Sequence, residues 1–510
     1  MLTFSALTRA ASLARMAEDT FDVLVIGGGI TGTGIALDAA SRGLSVALVE
    51  KDDFAAGTSG RSSRLVHGGL RYLEHGDLGL VRESLRERGT LYRLAPHLVR
   101  PVPMYMLAGD LRHRALYRAG LTVYEALAAG RNIGYHQGVS ADQVAAAIPG
   151  LGERTRGVRY FECQTDDARL TIEVARTARA HGALLANHAR VTGLLGQGRV
   201  TGAAVTDELT GQGFEVRARA VVNAAGIWAA EVEGLSGLGQ PGRWPRRAPI
   251  RLSPSKGVHL VFAPGAVRTT AAMVAPAADG RYVFIVPWED RVYAGTTDTP
   301  YDGDLDSPAV GEADQDYILS AVTPLFPGVT GSDVVASWAG LRPLLGGDDG
   351  DAETADLSRK HAIFDEPPGL FTITGGKLTT YRAMAEDLVD RVAAALGTTA
   401  PCRTRDIPLG LHGSPAAAVR LARDEAGRLG LPPTAAARLV QRYGDDWRAA
   451  VTLIEADRTL GDPAVPGLPV LGVELVLARS REMALTDDDV LVRRTRLTTR
   501  DASVRLTPSA

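Results

Sequence analysis

Histidine and lysine side chains beside paired glycines are the first candidates for chemistry in this 510-residue chain. His67 precedes two glycines, and Lys377 follows two. An imidazole has an ordinary pKa suited to proton transfer, and an ammonium group can stabilise a developing oxyanion. We predict that both residues are catalytic and leave open which one is the base. A structural hydrogen-bonding role for His67, and His259 as the base, are the alternatives.

The segment 26–32, Ile-Gly-Gly-Gly-Ile-Thr-Gly, has the spacing of a dinucleotide-binding turn. Gly27 would make the sharp turn from strand to helix, and Gly29 would let the backbone approach a pyrophosphate. Gly32 would let the helix pack closely on the strand. Glu50 ends the next apolar run, where an acid binds a ribose hydroxyl and repels a 2′-phosphate. An ordinary tight βα turn is the alternative interpretation.

A second glycine-rich segment, 375–382, returns the chain to this nucleotide and brings a cation with it. Together the two segments favour a flavin oxidoreductase that acts on an anionic substrate. Ser62 and Ser63 follow the first unit in a Gly/Ser-rich loop and are predicted to meet the flavin; solvated loop serines are the alternative. The apolar run that ends at Ala225 and Gly226 is predicted to pass close to the flavin, unless it is a plain strand terminus.

Length and composition restrict the class of protein. A chain of 510 residues is too long for one ordinary core, so we expect two or three domains. The net charge of −3 gives no basic footprint for nucleic-acid binding. Two cysteines, Cys163 and Cys402, form neither a CxxC motif nor a disulfide framework, which favours a reducing cytosol. No apolar stretch approaches the length of a membrane span, and we predict no metal site.

Apolar periodicity predicts the elements that must position these residues. The predicted elements are a βαβ unit over 21–70, a helix-rich stretch from about 77 to 148, a helix over 168–181, strands over 200–205 and 215–226, a hairpin over 282–297 and helices over 415–427, 434–443 and 447–456. Residues 1–20 form an N-terminal extension that is a poor secretory signal. This extension has two interpretations. Either Met16 is the true start of the protein, or the extension forms an amphipathic helix that contacts a membrane.

Several motifs in order resemble those of FAD-dependent (aerobic, quinone-linked) glycerol-3-phosphate dehydrogenases. They are IGGGITGTGIALD (26–38), LVHGGLRYLE (65–74), IVPW (285–288), GTTD (295–298), GLRPL (340–344) and GGKLTTYRAMA (375–385). The resemblance covers about residues 20–390 and continues weakly through the helical tail, including Arg493-Arg494-Thr495. Arg64 departs from it, because lysine is expected there, and so does the N-terminal extension.

The resemblance implies an α/β fold with a Rossmann-like FAD-binding domain of the glutathione-reductase and D-amino-acid-oxidase type. A mixed-sheet substrate domain and a helical C-terminal domain would complete it. The implied ranges are 1–20 for the extension, 21–75, 170–230 and 340–400 for the discontinuous FAD-binding domain, 76–169 and 231–339 for the substrate-binding domain, and 401–510 for the C-terminal helices.

The resemblance also implies a reaction, in which sn-glycerol 3-phosphate is oxidised at C2 to dihydroxyacetone phosphate. Hydride would pass to flavin N5, and the electrons would reach a quinone from the inner, cytoplasmic face of the cell membrane. A homodimer is one hypothesis for the assembly. An oxidase that makes hydrogen peroxide from oxygen is the alternative enzyme, and a flavin-binding protein without turnover is the alternative outside enzymes.

The site residues follow from the same resemblance. Arginine suits a phosphate dianion because its planar fork donates two hydrogen bonds at once. The implied substrate-binding residues are Arg71, Tyr72, Arg281, Arg342 and Arg359, with Arg342 also catalytic. The implied FAD-binding residues are Gly27, Gly29, Gly32, Glu50, Ser62, Ser63, Val191, Ala225, Gly226, Gly376, Lys377, Leu378 and Thr379. A bland surface position is the alternative for each arginine, above all for Arg359.

Overall fold

Two β-sheets and a group of C-terminal helices make up the fold. The computed structural model describes residues 4–74, 76–236, 250–346 and 360–506, without the side chains of Arg71 and Glu74. The helices of that part of the chain are α1 (Ala6–Glu18), α2 (Ile30–Ser41), α3 (Arg71–Glu74), α4 (Leu78–Leu94), α5 (Leu111–Leu127), α6 (Ala141–Ala147), α7 (Asp167–Ala180), α8 (Ala229–Gly234), α9 (Glu312–Val322), α10 (Tyr381–Leu396), α11 (Pro415–Arg428), α12 (Pro433–Tyr443), α13 (Trp447–Ala456), α14 (Gly472–Arg481) and α15 (Leu497–Arg500).

The strands belong to two separate sheets. They are β1 (Thr20–Ile26), β2 (Val46–Val49), β3 (Leu65–Val66), β4 (Arg100–Leu107), β5 (Gln137–Val139), β6 (Gly157–Gln164), β7 (Leu184–Ala186), β8 (Ala189–Leu195), β9 (Gly202–Asp207), β10 (Gly213–Asn223), β11 (Leu252–Phe262), β12 (Ala272–Pro276), β13 (Tyr282–Trp288), β14 (Arg291–Gly295), β15 (Thr299–Pro300), β16 (Val334–Leu345), β17 (Ala362–Phe364) and β18 (Leu370–Thr374). No described helix is both long and apolar enough to cross a membrane.

The first sheet has a parallel centre in the order β18-β10-β1-β2-β7. All four residues of β2 are buried, as expected for a strand covered on both faces. Helices α2, α7 and α10 pack together beside it, and Ile35, Ile172 and Leu388 are fully buried in the shared core. This arrangement confirms the predicted Rossmann-like domain.

The second sheet is mixed, and its ten strands are mostly antiparallel. Its longest pairing joins β11 to β16 from Leu252↔Leu345 onward. The short strand β3 also belongs to it, through β6. The predicted domain boundary at residue 340 therefore lies inside β16, and the predicted range 21–75 contains a strand of the second sheet.

The stretch from 77 to 148 is less helical than predicted. Strand β4 runs for eight residues between α4 and α5, and β5 lies before α6. Pro101 and Pro103 disfavour a helix there, because proline lacks the N–H that a helix interior needs. Val102 and Met104 alternate toward the core instead, as a half-buried strand requires.

The predicted N-terminal extension contains a helix that packs against the first sheet. Met16 of α1 is fully buried in the core of that sheet. The buried Arg9 guanidinium donates to the Asp207 carboxylate at 2.5 Å and to the Asn187 carbonyl at 2.8 Å. One face of α1 is thereby tied to β9 and to the loop after β7.

Candidate active site

A cavity of about 590 Å³ lies where the carboxyl ends of the first sheet meet the second sheet. Such an edge is the usual ligand site of parallel sheets, because the strands end there and the helices begin. Predicted site residues that line it are Gly27, Gly29, Glu50, Ser62, Ser63, His67, Val191, Ala225, Gly226, Arg342, Gly376, Lys377, Leu378 and Thr379. The fold therefore gathers segments more than 300 residues apart around one space.

The glycine turn has the geometry that a bound pyrophosphate needs. Gly27 has a φ of +113°, and a Cβ there would lie 2.6 Å from the Ala224 carbonyl oxygen. A Cβ on Gly32 would collide with the Gly27 carbonyl oxygen, so Gly32 acts in helix packing rather than at the cavity wall. The first turn of α2 lines the cavity, and the positive end of a helix favours an anion.

Glu50 lies at the end of β2 and faces this turn. Its carboxylate accepts hydrogen bonds from the Gly28 N–H at 2.5 Å and from the Asp52 N–H at 2.9 Å. Burial raises the pKa of the Glu50 carboxyl above its ordinary value, although these two N–H groups oppose the effect. The residues present thus fit the ribose and pyrophosphate of a dinucleotide.

The loop that carries Ser62 and Ser63 places Ser62 near the start of α7 and Ser63 near the second sheet. Ser62 donates to the Asp167 carboxylate at 2.7 Å, and Ser63 Oγ lies 2.9 Å from His259 Nε2. Ser59 was not predicted, yet its Oγ accepts the Ile30 N–H at 2.9 Å and lines the cavity. Arg61 lines the cavity too; its place in the Gly/Ser-rich loop was the available signal.

The predicted catalytic pair, His67 and Lys377, lies on the same wall of the cavity. The backbone N–H of His67 donates to Thr379 Oγ1 at 3.2 Å, which ties the loop at His67 to the second glycine-rich segment. Lys377 Nζ lies 3.6 Å from the centroid of the Tyr72 ring and 3.4 Å from Ser84 Oγ. Tyr72 does not line the cavity, but its ring contacts Lys377, which does.

Arg342 enters the cavity from β16 and is held by several acceptors. Its Nη1 donates to the Asp298 carboxylate at 3.0 Å, and its Nη2 donates to Thr296 Oγ1 at 3.1 Å. The guanidinium is therefore fixed in position, with its charge partly balanced by the Asp298 carboxylate.

The other predicted substrate-binding arginines are less directly placed. Arg281 does not line the cavity. Its guanidinium binds the Asp279 carboxylate and donates to the Asp298 backbone carbonyl at 2.8 Å, and the Asp298 carboxylate in turn binds Arg342. Arg359 and the side chain of Arg71 lie outside the described residues.

His259 is buried at the back of the cavity against an aromatic wall. Its ring stacks on Trp338 with centroids 4.6 Å apart. Burial, and then the charges of Arg342 and Arg64, lowers the pKa of His259 well below its ordinary value. His259 therefore stays neutral near pH 7 and can accept or donate a hydrogen bond.

Arg64, the predicted departure, lies in the same wall. Its guanidinium is sandwiched between Trp288 at 4.0 Å and Trp338 at 4.4 Å. Burial lowers the pKa of Arg64 to about 10, which still leaves it charged. The side chain consequently acts as a fixed positive charge behind His259.

Comparison with known proteins decides the family. The model of the family described as FAD dependent oxidoreductase matches residues 22–391, and that of the C-terminal domain of alpha-glycerophosphate oxidase matches residues 402–508. Glycerol-3-phosphate dehydrogenase 2 of Mycobacterium tuberculosis (strain ATCC 25618 / H37Rv) is 40% identical over 496 residues, 96% of this chain and 83% of the relative. The chain belongs to the FAD-dependent glycerol-3-phosphate dehydrogenase family.

Other members give the same result. Aerobic glycerol-3-phosphate dehydrogenase of Staphylococcus haemolyticus (strain JCSC1435) is 37% identical over 97% of this chain and 90% of the relative. The structure of glycerol-3-phosphate dehydrogenase from Bacillus halodurans complexed with FAD has a TM-score of 0.78 and 34% identity, covering 98% of this chain and 90% of that chain. The protein is thus an FAD-dependent oxidoreductase of the glycerol-3-phosphate dehydrogenase family.

Buried arginines of the segment before α15 connect the C-terminal part of the dehydrogenase fold to the region beneath the cavity. Arg494 donates two hydrogen bonds to the Asp53 carboxylate, at 2.5 and 2.8 Å. Arg496 binds both Asp166 and Asp167. Asp167 also holds Ser62, and Arg496 donates to the Gly60 carbonyl at 2.9 Å, so this segment is connected to the cavity loop at two points.

Proposed function

We propose that this protein oxidises sn-glycerol 3-phosphate to dihydroxyacetone phosphate. The observation that supports it best is the common cavity: a dinucleotide turn, the Arg342 guanidinium, His67 and Lys377 line one space of about 590 Å³. Relatives of 37–40% identity bear the substrate in their names. When bound, FAD would supply the redox chemistry by taking the C2 hydride at flavin N5.

Arg342 is the proposed phosphate-binding residue. A guanidinium fixed by Asp298 and Thr296 is already oriented, so little side-chain entropy is lost when the phosphate arrives. Arg281 would support this position from behind, since it donates to the Asp298 carbonyl. Arg71 and Arg359 stay predictions as further phosphate ligands.

Proton removal from the C2 hydroxyl is assigned to the wall that His67 and Lys377 share. An ammonium at Lys377 would stabilise the alkoxide that develops at C2, and the His67 imidazole would accept its proton. His259 remains the alternative base, because it is neutral and lines the same cavity. Because its imidazole Nε2 contacts Ser63, Nδ1 would be the nitrogen that accepts the proton.

An anaerobic absorption spectrum tests the substrate assignment. We expect the flavin band near about 450 nm, a property of the cofactor, to bleach when glycerol 3-phosphate is added. A band that stays oxidised with glycerol 3-phosphate would exclude this substrate while leaving FAD binding intact. A colourless protein that takes up no added FAD would exclude the assignment of the cavity.

The proposed electron acceptor is a quinone. Oxygen is the second candidate, because residues 402–508 match the C-terminal domain named for alpha-glycerophosphate oxidase. After anaerobic reduction, a soluble quinone and oxygen are offered separately to the reduced protein. Fast reoxidation by quinone with slow hydrogen peroxide formation is expected; the opposite order would identify an oxidase.

We further propose peripheral attachment to the inner, cytoplasmic face of the cell membrane through α5. Leu111 and Leu116 on this helix are 74% and 65% exposed, and Arg112 and Arg118 lie beside them. Apolar and cationic side chains on one helix suit an anionic lipid surface. In flotation with anionic vesicles, we expect the wild type to rise with the lipid and the double variant Leu111→Glu/Leu116→Glu to stay behind. If a homodimer buries these leucines instead, light scattering should show that the double variant is monomeric.

A further inference from the structure

Arg64 is a buried cation that the proposed reaction does not use. It is 1% exposed and does not line the active-site cavity. Among the described residues, its Nε and Nη1 atoms have no hydrogen-bond partner. Burying a charge without hydrogen bonds is costly, and proteins keep such features mainly at functional sites. The reason for Arg64 must therefore lie in the side chains that its guanidinium contacts.

Indole rings enclose the Arg64 guanidinium. Its Cζ atom lies 4.0 Å from the centroid of Trp288 and 4.4 Å from that of Trp338. A guanidinium is planar and weakly hydrated, so it stacks on aromatic faces, whereas an ammonium has no flat face. This stacking offsets part of the cost of burial and orients both rings. It also gives a reason for arginine at a position where the motif leads one to expect lysine.

Trp338 connects Arg64 to His259. Trp338 and His259 lie directly opposite each other in the pairing of β16 with β11, so their side chains share one face of the sheet. Their rings are 4.6 Å apart between centroids and inclined by 10°. The Trp338 indole N–H donates to the Ser62 carbonyl at 3.3 Å, which holds the indole in this orientation. Arg64, Trp338 and His259 therefore form a row in which each side chain contacts the next.

The His259 ring is also held by the loop before β3 and by β14. Ser63 Oγ lies 2.9 Å from His259 Nε2, and the Tyr293 hydroxyl donates to the Ser63 carbonyl at 2.7 Å. The Tyr293 ring meets the imidazole edge-on, with centroids 5.9 Å apart. Together with the Trp338 stack, these contacts fix the plane of the imidazole.

The charges around His259 favour its neutral form. Burial is the main reason that its pKa lies well below the ordinary value, and the charges of Arg342 and Arg64 lower it further. Arg342 is paired with the Asp298 carboxylate. Tyr293 adds no charge near neutral pH, because burial raises its pKa above the ordinary value. The cations that act on the imidazole are thus Arg342 inside the cavity and Arg64 behind its wall.

Substrate binding would change these two charges unequally. The proposed phosphate contact with Arg342 brings a dianion into the cavity, and a nearby anion favours the charged form of an imidazole. The substrate does not reach Arg64, because this residue does not line the cavity. Burial lowers the pKa of Arg64 only to about 10, so its charge persists near pH 7. Arg64 would therefore oppose protonation of His259 when the charge of Arg342 is cancelled.

We propose that Arg64 is a positioning residue, which fixes the His259 ring through Trp338 and keeps that ring uncharged while the substrate is bound. A neutral imidazole at this place can take the C2 hydroxyl proton itself or accept a hydrogen bond in support of His67. The inference rests on the proposed function, since the anion that Arg64 opposes is the phosphate of the proposed substrate.

The protonation of His259 is measured first by NMR on the FAD-loaded full chain with isotope-labelled histidine, over about pH 5 to 8, where histidine ordinarily titrates. The His259 signal is identified by its loss in His259→Gln. Arg64→Met and Arg64→Gln remove the charge, and Arg64→Lys keeps it. Arg448→Met is the matched control, because Arg448 also stacks on a tryptophan, Trp447, at 4.7 Å, and neither residue lines the cavity.

We expect His259 to stay neutral over this range in the wild type, in Arg64→Lys and in Arg448→Met. In Arg64→Met and Arg64→Gln, the midpoint of His259 protonation should rise by about one pH unit or more, into the measured range, because a like charge has been removed. Flavin content and melting temperature are recorded for each variant.

The rate of anaerobic flavin reduction at saturating glycerol 3-phosphate is then measured over the same pH range. The acid limb of this rate reports groups of the substrate complex and should move to higher pH in Arg64→Met and Arg64→Gln. Arg64→Lys should keep the wild-type limb but be about tenfold slower throughout, because an ammonium does not orient the rings. KM should stay unchanged in all of them, since Arg342 is retained.

Several results would overturn the proposal. They are a His259 that stays neutral in both uncharged variants, an equal rise in Arg64→Lys or Arg448→Met, a raised KM with an unmoved acid limb, and loss of FAD from both uncharged variants. If glycerol 3-phosphate does not reduce the wild-type flavin, the proposed reaction fails, while the NMR titration still decides the role of Arg64.

Discussion

The ammonium group of Lys377 lies 3.6 Å from the centroid of the Tyr72 ring. This contact joins a predicted catalytic residue to a predicted substrate-binding residue, and it holds the cation over an aromatic face at the cavity wall. Ser84 Oγ lies on another side of the same ammonium, at 3.4 Å. Lys377 is thereby oriented before any substrate binds.

Lys377→Met should remove the charge while keeping the length of the side chain. We expect the rate of anaerobic flavin reduction by glycerol 3-phosphate to fall about 100- to 1,000-fold, as for the loss of one oxyanion donor. Stopped-flow absorbance at saturating substrate measures it. Lys360→Met is the control, since Lys360 is an exposed lysine that does not line the cavity. A wild-type rate in Lys377→Met would exclude a catalytic role.

Arg342→Ala should weaken substrate binding while FAD stays bound. The loss of a charged hydrogen-bonding partner for phosphate should raise KM by about 10- to 100-fold. The variant also leaves the buried Asp298 carboxylate without its guanidinium, so a structural effect must be separated.

The double variant Arg342→Gln/Asp298→Asn makes that separation, because it removes both charges and keeps polar groups of similar size. If Arg342 binds phosphate, the double variant keeps the high KM. Recovery of a wild-type KM would mean that Arg342 serves only to neutralise Asp298. Steady-state kinetics with flavin content measured in parallel distinguishes the two results.

Gly32→Ala should prevent formation of the nucleotide turn. The added Cβ meets the Gly27 carbonyl oxygen, which is backbone and cannot rotate away. We expect loss of bound FAD and a fall in the free energy of unfolding of about 1–3 kcal/mol. Gly120→Ala in α5 is the control, because its Cβ meets no atom of the described chain within 4 Å. FAD fluorescence measures the bound flavin, and urea denaturation measures the free energy of unfolding. A Gly32→Ala protein that still binds FAD would contradict the packing argument.

The residues predicted for the nucleotide half of the site lie together in the fold, because their sequence signals are local. The roles of Gly27, Gly29 and Gly32 follow from backbone geometry within seven residues, and Glu50 is one βα step away. The helices α11, α12 and α13 were also predicted, from their apolar period and the Ser414-Pro415 start.

The remaining features depend on contacts between distant parts of the chain. Arg281 resembles Arg342 as an isolated residue, and only the fold shows that Asp298 lies between them. Strand β4 was included in a helix-rich stretch because its pairing partner β6 is about fifty residues further along the chain. Nothing local indicates that Arg494 and Arg496, just before α15, are buried against Asp53 and Asp166.

Glu289, at the turn between β13 and β14, joins the second sheet to the C-terminal helices. Its carboxylate binds Arg438, Arg442 and Arg500. Burial alone would raise the pKa of Glu289, but its three guanidinium partners hold that pKa well below its ordinary value. The folded state therefore favours the charged form, and this contribution to stability is complete above the unfolded-state pKa of about 4.3 and is lost as the pH falls through the folded-state pKa.

Glu289→Gln should lower the free energy of unfolding at pH 7 by about 3–5 kcal/mol, because it removes the negative charge that three buried guanidinium groups share. The difference between variant and wild type should stay constant from neutral pH down to about pH 5 and shrink below about pH 4, where the Glu289 carboxyl of the unfolded wild type begins to bind a proton. Denaturation in urea at a series of pH values measures this difference. Glu455→Gln, at an exposed position of α13, should match the wild type throughout. A Glu289→Gln difference that grows as the pH falls would contradict the assigned direction of the pKa, because it would require the folded state to favour the protonated acid.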